Sequence, residues 1–254
     1  IAFAPNSQKL VAGGSNGKMQ TFHINTASID LNITAHSSWV TAVNYSPDNT
    51  MIASGGNDNL VKLWDTAGNA LLTLPGHTDD ITGLQFSPDN SRLYSSSADN
   101  SVKVWNTVTG TLIHSIPVSN SDVNAIDLSN NGHILAIASK DNWIRLYNTA
   151  TWSIIDSFLQ DHGTTPQSID LSSDGSKLVT GTVNGLVTQY QIGALTGIKI
   201  NEKTDLQRPF LYPNPTTEYL YWSRNETLKQ VRLVDFSGRM IAALQVVHNA
   251  IILP

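Results

Sequence analysis

The chain has 254 residues, 14% of them Asp, Glu, Lys or Arg, with a formal net charge of −5 and hydrophobic residues at 40%. That length fits one large all-β domain or two ordinary domains, and the abundance of turn-forming Gly, Asn, Asp, Ser and Thr fits a folded chain rather than a disordered one. The charge excludes a basic footprint for nucleic acid, the lack of cysteine excludes disulfides, thiol catalysis and Cys-ligated zinc, and no apolar run approaches the ~18 residues of a membrane span.

In chain order, the first landmark is "FAPNS" at Phe3. It recurs as "YSPDN" at Tyr45, "FSPDN" at Phe86, "LSNNG" at Leu128 and "LSSDG" at Leu171, at spacings of 42, 41, 42 and 43 residues. A second ladder, Phe22, Trp64, Trp105, Tyr147 and Tyr190, keeps the same four spacings. Two independent landmarks on one period define a structural repeat. Within the second unit, "WVTAVNYSP", "MIAS", "LVKLWD" and "ALLTL" are short β-branched or apolar runs, each closed by turn residues, and no helical spacing separates them. The expectation is four antiparallel strands per unit. Such a small sheet buries both faces only by stacking on its neighbours, as the blades of a propeller do.

Ala35-His36 is followed 28 residues after the His by Trp64-Asp65, and Gly76-His77 at the same distance by Trp105. These residues resemble the WD-repeat β-propellers, whose ~40–45-residue blades carry a G-H…W-D signature. The resemblance covers residues 1–192, in units near 1–34, 35–74, 75–116, 117–159 and 160–192. It implies a buried relay of His36, Ser54, Asp58 and Trp64 in one blade and of His77, Ser95, Asp99 and Trp105 in the next, in structural roles. The fourth unit departs from it, with Ser119 and Ile137 in place of His and Ser beside Asp141 and Tyr147. The fifth has His162, Thr180, Asn184 and Tyr190. Both are expected to rely on packing more than on the relay.

The family also implies a partner-docking face, made by the loops leading into the innermost strands and by the turns between second and third strands. By motif position that face holds Trp39, Thr41, Asp80, Thr82, Asp122, Asn124, Thr165 and Gln167, with Asn57 and Lys140 from the turns. Trp39 beside Asp and Asn side chains suits an interface anchor or a sugar-stacking platform, and it equally suits packing on the next blade.

Motifs of chemistry are absent or explained by the repeat. "GGSNG" around Ser15 fits the G-x-S-x-G nucleophile pattern, but the corresponding stretch one unit later, "GGNDN", is a strand-to-strand turn, and no helix follows. Lys18 after Gly17 suggests a phosphate loop, yet Ala12 stands where a Gly is needed and Met19 where Ser or Thr is needed. Of the seven histidines, His36, His77 and His162 hold the relay position, while His23, His114, His133 and His248 are isolated, so no metal or cofactor signature results. Asp79-Asp80 reads as a solvated turn rather than an acid–base pair.

Residues 193–209 read as a last strand or linker. "LYPNPTTEYLYW" then opens a new segment, and "VRLVDFSGRMIAALQVV" adds two strands about a Ser-Gly turn, the outline of a small C-terminal β-sandwich. Tyr212, Pro213, Asn214, Pro215, Val231, Leu233, Asp235, Gly238 and Arg239 resemble, in order, the C-terminal sorting domain of the type IX secretion system. Over 210–254 that resemblance implies export from a Gram-negative bacterium to the cell surface or beyond, with the secretion machinery as a partner. The segment ends at "IILP", ahead of the final strands the family carries, and Ile1 stands inside a blade's first strand. Since WD-repeat rings commonly have seven blades, two or more are expected upstream. The reading is thus all-β, a WD-repeat propeller plus a truncated sorting domain. Its expected function is non-catalytic and extracellular, binding a protein partner, with a glycan as an alternative ligand and a hydrolase or lyase as an alternative activity.

Overall fold

Strands of five or six residues recur because each apolar run alternates with period two and is then stopped by a turn requiring a left-handed residue. Asn supplies that conformation repeatedly, with φ of 61° at Asn49 and Asn90, 64° at Asn59, 69° at Asn100 and 67° at Asn142. Its short polar side chain makes it the non-glycine residue best suited to that region. The computed structural model describes residues 1–160 and 163–192, together with strand segments 210–213, 219–223, 231–234, 240–244, 246–247 and 250–252.

The first sheet comprises β1 (Ala2–Phe3), β2 (Lys9–Gly13), β3 (Lys18–His23) and β4 (Ile29–Thr34). The second comprises β5 (Val40–Tyr45), β6 (Met51–Gly56), β7 (Val61–Asp65) and β8 (Ala70–Leu74). The third holds β9 (Ile81–Phe86), β10 (Arg92–Ser97), β11 (Ser101–Asn106) and β12 (Leu112–Pro117), and the fourth β13 (Val123–Leu128), β14 (Ile134–Ser139), β15 (Trp143–Asn148) and β16 (Ile154–Leu159). A fifth, three-stranded among the described residues, holds β17 (Pro166–Leu171), β18 (Lys177–Thr182) and β19 (Val187–Gln191). Each of these five sheets is antiparallel with its strands in sequence order. Their first strands, β1, β5, β9, β13 and β17, adjoin one another in that order and line a common channel. Repeated four-stranded sheets arranged in this way are the pattern of a β-propeller.

The core lies in the seams between sheets. Four buried clusters each draw on two successive sheets. Strand alternation makes this possible: Ile52 packs back against Val11 and Met19, whereas its neighbour Ala53 packs forward against Ile81 and Leu84. Leu93 and Tyr94 divide in the same way, as do Leu135 and Ala136. Each fully buried aliphatic side chain contributes roughly 1.5–3 kcal/mol, so the stack is held together by neighbours rather than by any sheet alone.

In the C-terminal segment, β20 (Phe210–Pro213), β21 (Tyr219–Ser223), β25 (Ala250–Ile252) and β24 (Val246–Val247) pair in that order, and β22 (Val231–Val234) pairs with β23 (Met240–Leu244). Tyr212 and Pro213 fall in β20, Val231 and Leu233 in β22. Asn214, Pro215, Asp235, Gly238 and Arg239, like the linker 193–209, lie outside the described residues. Among the described residues no helix is long and apolar enough to cross a membrane.

Candidate interaction face

The relay residues fix the loops that make this face. In the second sheet, His36 Nδ1 lies 2.8 Å from Asp58 Oδ1, His36 Nε2 lies 2.8 Å from Ser54 Oγ, and Trp64 Nε1 donates to the same Oγ at 2.8 Å. The third sheet repeats the set, with His77 Nδ1 2.8 Å from Asp99, His77 Nε2 2.7 Å from Ser95 Oγ, and Trp105 Nε1 donating to Ser95 at 2.8 Å. Burial holds both imidazoles below their ordinary pKa, against the pull of the facing carboxylates. Neutral rings explain the geometry: Nδ1–H donates to Asp, Ser O–H donates to Nε2, and Trp N–H donates to Ser. No buried polar atom in that chain is left alone. Burial presses the Asp58 and Asp99 carboxyls upward, but His, backbone N–H and hydroxyl donors outweigh it and leave both below the usual range. Gly56 is required here, since a Cβ would come within 2.8 Å of the His36 ring.

The fourth and fifth sheets solve the problem with other groups. Asp141 is clamped by Arg145, with Nη2–Oδ2 at 2.6 Å and Nη1–Oδ1 at 3.2 Å, and by Ser139 Oγ at 2.6 Å. Burial opposes ionisation there, yet these donors bring the carboxyl down to about 2. Ser119 donates only to Ser121 O, and Ile137 is core. In the fifth sheet the buried Gln160 accepts from Thr180 Oγ1 at 2.9 Å and from Tyr190 OH at 3.1 Å, while Thr182 donates to Asn184. His162 lies outside the described residues. Polar anchoring therefore persists in the sheets expected to rely on packing more than on the relay, because a buried carboxylate or hydroxyl still needs partners. Neither Arg145 nor Gln160 was legible as a relay member, since neither occupies the motif position.

Each loop leading into an innermost strand is tied to the second turn of its own sheet: Asn57 N donates to Trp39 O, Ala98 N to Asp80 O, Lys140 N to Asp122 O and Val183 N to Thr165 O. These two sets of loops therefore share one face. Trp39 is 58% exposed on it rather than packed into a seam. Asp80 stands in its turn, its carboxyl raised by burial and by Asp79. Asp122 and Lys140 form an exposed ion pair at 3.2 Å, and Gln167 is exposed.

Four residues of the expected docking set also hold hydrogen bonds within the chain. Thr41 Oγ1 donates to Ile81 O, Thr82 Oγ1 to Val123 O at 2.6 Å and Asn124 Nδ2 to Pro166 O at 2.8 Å, so these equivalent positions stitch each innermost strand to the next. Thr165 Oγ1 donates to Asn142 Oδ1 at 3.1 Å. The cause is the narrow spacing of the inner strands, which puts short polar side chains within reach of the neighbour's backbone. Ser15 sits in the β2–β3 turn, and no group of three or more His, Asp or Glu that could hold a metal occurs among the described residues.

Three segments, 29–65, 68–106 and 110–148, match the family described as WD domain, G-beta repeat. Each match starts at or just before an outermost strand and runs through the third strand of the following sheet. No curated protein matches the chain.

Proposed function

With WD40 repeats in these sheets as the premise, we propose that the chain is a non-catalytic interaction module that docks a protein partner on the leading-loop face. The observation that carries this reading is Trp39, a large indole 58% exposed among polar groups on that face. Trp is enriched at binding hot spots because it covers much area at small entropic cost. On this reading Asp80, Asp122, Lys140 and Gln167 supply further polar contacts from the leading loops and second turns of the later sheets, and Asn57 holds the Trp39 loop in place.

The partner is met outside the cell, on this reading, with segment 210–254 acting as a type IX sorting domain and 1–192 as its passenger. The support is the order of Tyr212, Pro213, Asn214, Pro215, Gly238 and Arg239 in the sequence. Fusing 210–254 to a reporter in a type IX-secreting host tests it. Reporter retained in the periplasm, with or without Arg239→Ala, sinks the export reading.

Docking is tested by capturing surface proteins on the intact chain, with Trp39→Ala and Lys140→Glu against Val108→Glu in a turn of the opposite face. A partner lost with the first two and kept with the third supports the face. The exposed indole also favours a second reading, a sugar platform, for which a polysaccharide panel with and without Trp39→Ala is decisive. Ester or glycoside hydrolysis that survives Ser15→Ala would make the module an enzyme without Ser15 as its nucleophile.

A further inference from the structure

The far mouth of the channel, opposite the leading-loop face, has a chemistry of its own. Antiparallel strands put the ends of β5, β9, β13 and β17 there, beside the turns that carry Pro47 and Pro88. A cavity of 540 Å³ opens at that mouth, lined by all five sheets. Its wall carries one polar side chain at the same register from each of the second to fifth sheets: Asn44, Gln85, Asp127 and Asp170. The first three form a directed chain, with Asn44 Nδ2 donating to Gln85 Oε1 at 2.9 Å and Gln85 Nε2 to Asp127 Oδ1 at 2.7 Å. Asp127 Oδ2 accepts the Leu171 backbone N–H at 2.7 Å. Asp127 is nine-tenths buried, whereas Asp170 is exposed, and its carboxylate has no hydrogen bond or ion pair among the described residues.

The wall is therefore fixed at Asp127 and open at Asp170. No Lys, Arg or His lines the cavity, so its two carboxyl groups lack a cationic counterpart among the described residues. Phe3, 62% exposed, offers an aromatic ring at the same mouth. A single metal ion is a poor match for so large a space with so few carboxylates. A cavity of this size, with a few placed polar groups and apolar walls, suits an organic guest.

We propose that this mouth binds an organic cation, an alkylammonium or guanidinium group, whose charge meets Asp170 and whose stem lies against Phe3 and the prolines. The group is either a free amine or the side chain of a Lys or Arg on a docked polypeptide, and both present the same chemistry to the wall. The site is separate from the leading-loop face and does not depend on a partner there.

Calorimetric titration of the intact chain with putrescine, spermidine, 1,4-butanediol and an acetylated Gly-Arg-Gly amide tests the proposal. At least one cation is expected to bind, and the neutral diol is not. Asp170→Asn, at an exposed position that leaves the fold intact, should weaken binding by roughly tenfold, while Asp30→Asn, which removes the same charge from an outermost strand, should leave it unchanged. Tighter binding of the diamines assigns a free amine as guest, and tighter binding of the peptide assigns a side chain. No binding by any cation, equal binding of the diol, or equal losses with Asp170→Asn and Asp30→Asn would overturn it.

Discussion

Asp141 Oδ2 and Arg145 Nη2 lie 2.6 Å apart, at the place where the second and third sheets hold Asp58 and Asp99 against histidines. One turn geometry thus accepts two different cationic or N–H-donating partners for its carboxylate. What the fold demands at that corner is a donor for the acid. An imidazole from the preceding loop meets it, and so does a guanidinium reaching back four residues along β15.

Arg145→Ala should therefore destabilise the chain by about 1–2 kcal/mol at pH 7, since charge-assisted hydrogen bonds at a partly exposed corner are lost. The sign with pH is fixed by the direction of the shift. Asp141 titrates at about 2 in the fold against 3.8 ordinarily, so its contribution is present above pH 4 and disappears as pH falls toward 2. Denaturant unfolding from pH 7 to pH 2 should show wild type and variant converging at the acid end. A gap that stays constant across that range would show that packing of the arginine, and not its hold on Asp141, carries the effect.

The third-sheet relay gives a larger effect. His77→Ala leaves a cavity, strips Asp99 of a donor and leaves the Ser95 hydroxyl without its acceptor, at a cost of about 2–4 kcal/mol. Ser95→Ala removes the acceptor of the Trp105 N–H as well. Because the two changes break one network, the double variant should cost clearly less than the sum. Burial holds His77 below its ordinary 6.5, so the unfolded chain binds the proton more readily. The relay's contribution is then whole above about pH 6.5 and declines below it, and the gap between wild type and His77→Ala should shrink from pH 7 to pH 5. Urea midpoints at both pH values measure it.

The repeat, the strands of each unit and the His36 and His77 corners could be read from the sequence because spacing and residue type coincide there. The rest depends on which atom reaches which partner. Arg145 and Gln160 substitute for histidine from positions the motif does not mark. Thr41, Thr82 and Asn124 hold the motif's docking positions, and the closeness of neighbouring inner strands lets their side chains also bond the next strand's carbonyls. Period finds a backbone slot, while side-chain direction is set by what lies across it, a neighbour that a single repeat does not contain.

Gly55 shows how closely the sheets approach. A Cβ there would come within 2.4 Å of Ile81 Cγ2, on the first strand of the next sheet. Gly55→Ala should destabilise by about 1–3 kcal/mol through overpacking. Ile81 is itself fully buried, so Ile81→Ala alone should cost about 2–5 kcal/mol. Combined, the new methyl occupies part of the space the isoleucine leaves. The double variant should be more stable than the two single costs predict, and additive costs in thermal or urea unfolding would refute the contact.

Trp152 occupies the turn between β15 and β16 with φ of 59°, a region costly for a bulky residue. Equivalent turns in the second and third sheets use Gly68 and Gly110, with φ of 91° and 71°. The indole offsets the strain across the seam: it stacks on His114 at 4.7 Å between ring centres and 14° between planes, and the Arg92 guanidinium sits 5.8 Å from its centre. Trp152→Ala loses those contacts and keeps the backbone strain, whereas Trp152→Gly loses the contacts and relieves the strain. Both should be less stable than wild type, with the glycine variant the more stable of the two by about 1 kcal/mol. In an unstrained position the order is reversed, because glycine costs more chain entropy on folding. Urea unfolding of the three proteins decides between these orders, and an alanine variant as stable as the glycine one would mean that the turn relaxes once the ring is gone.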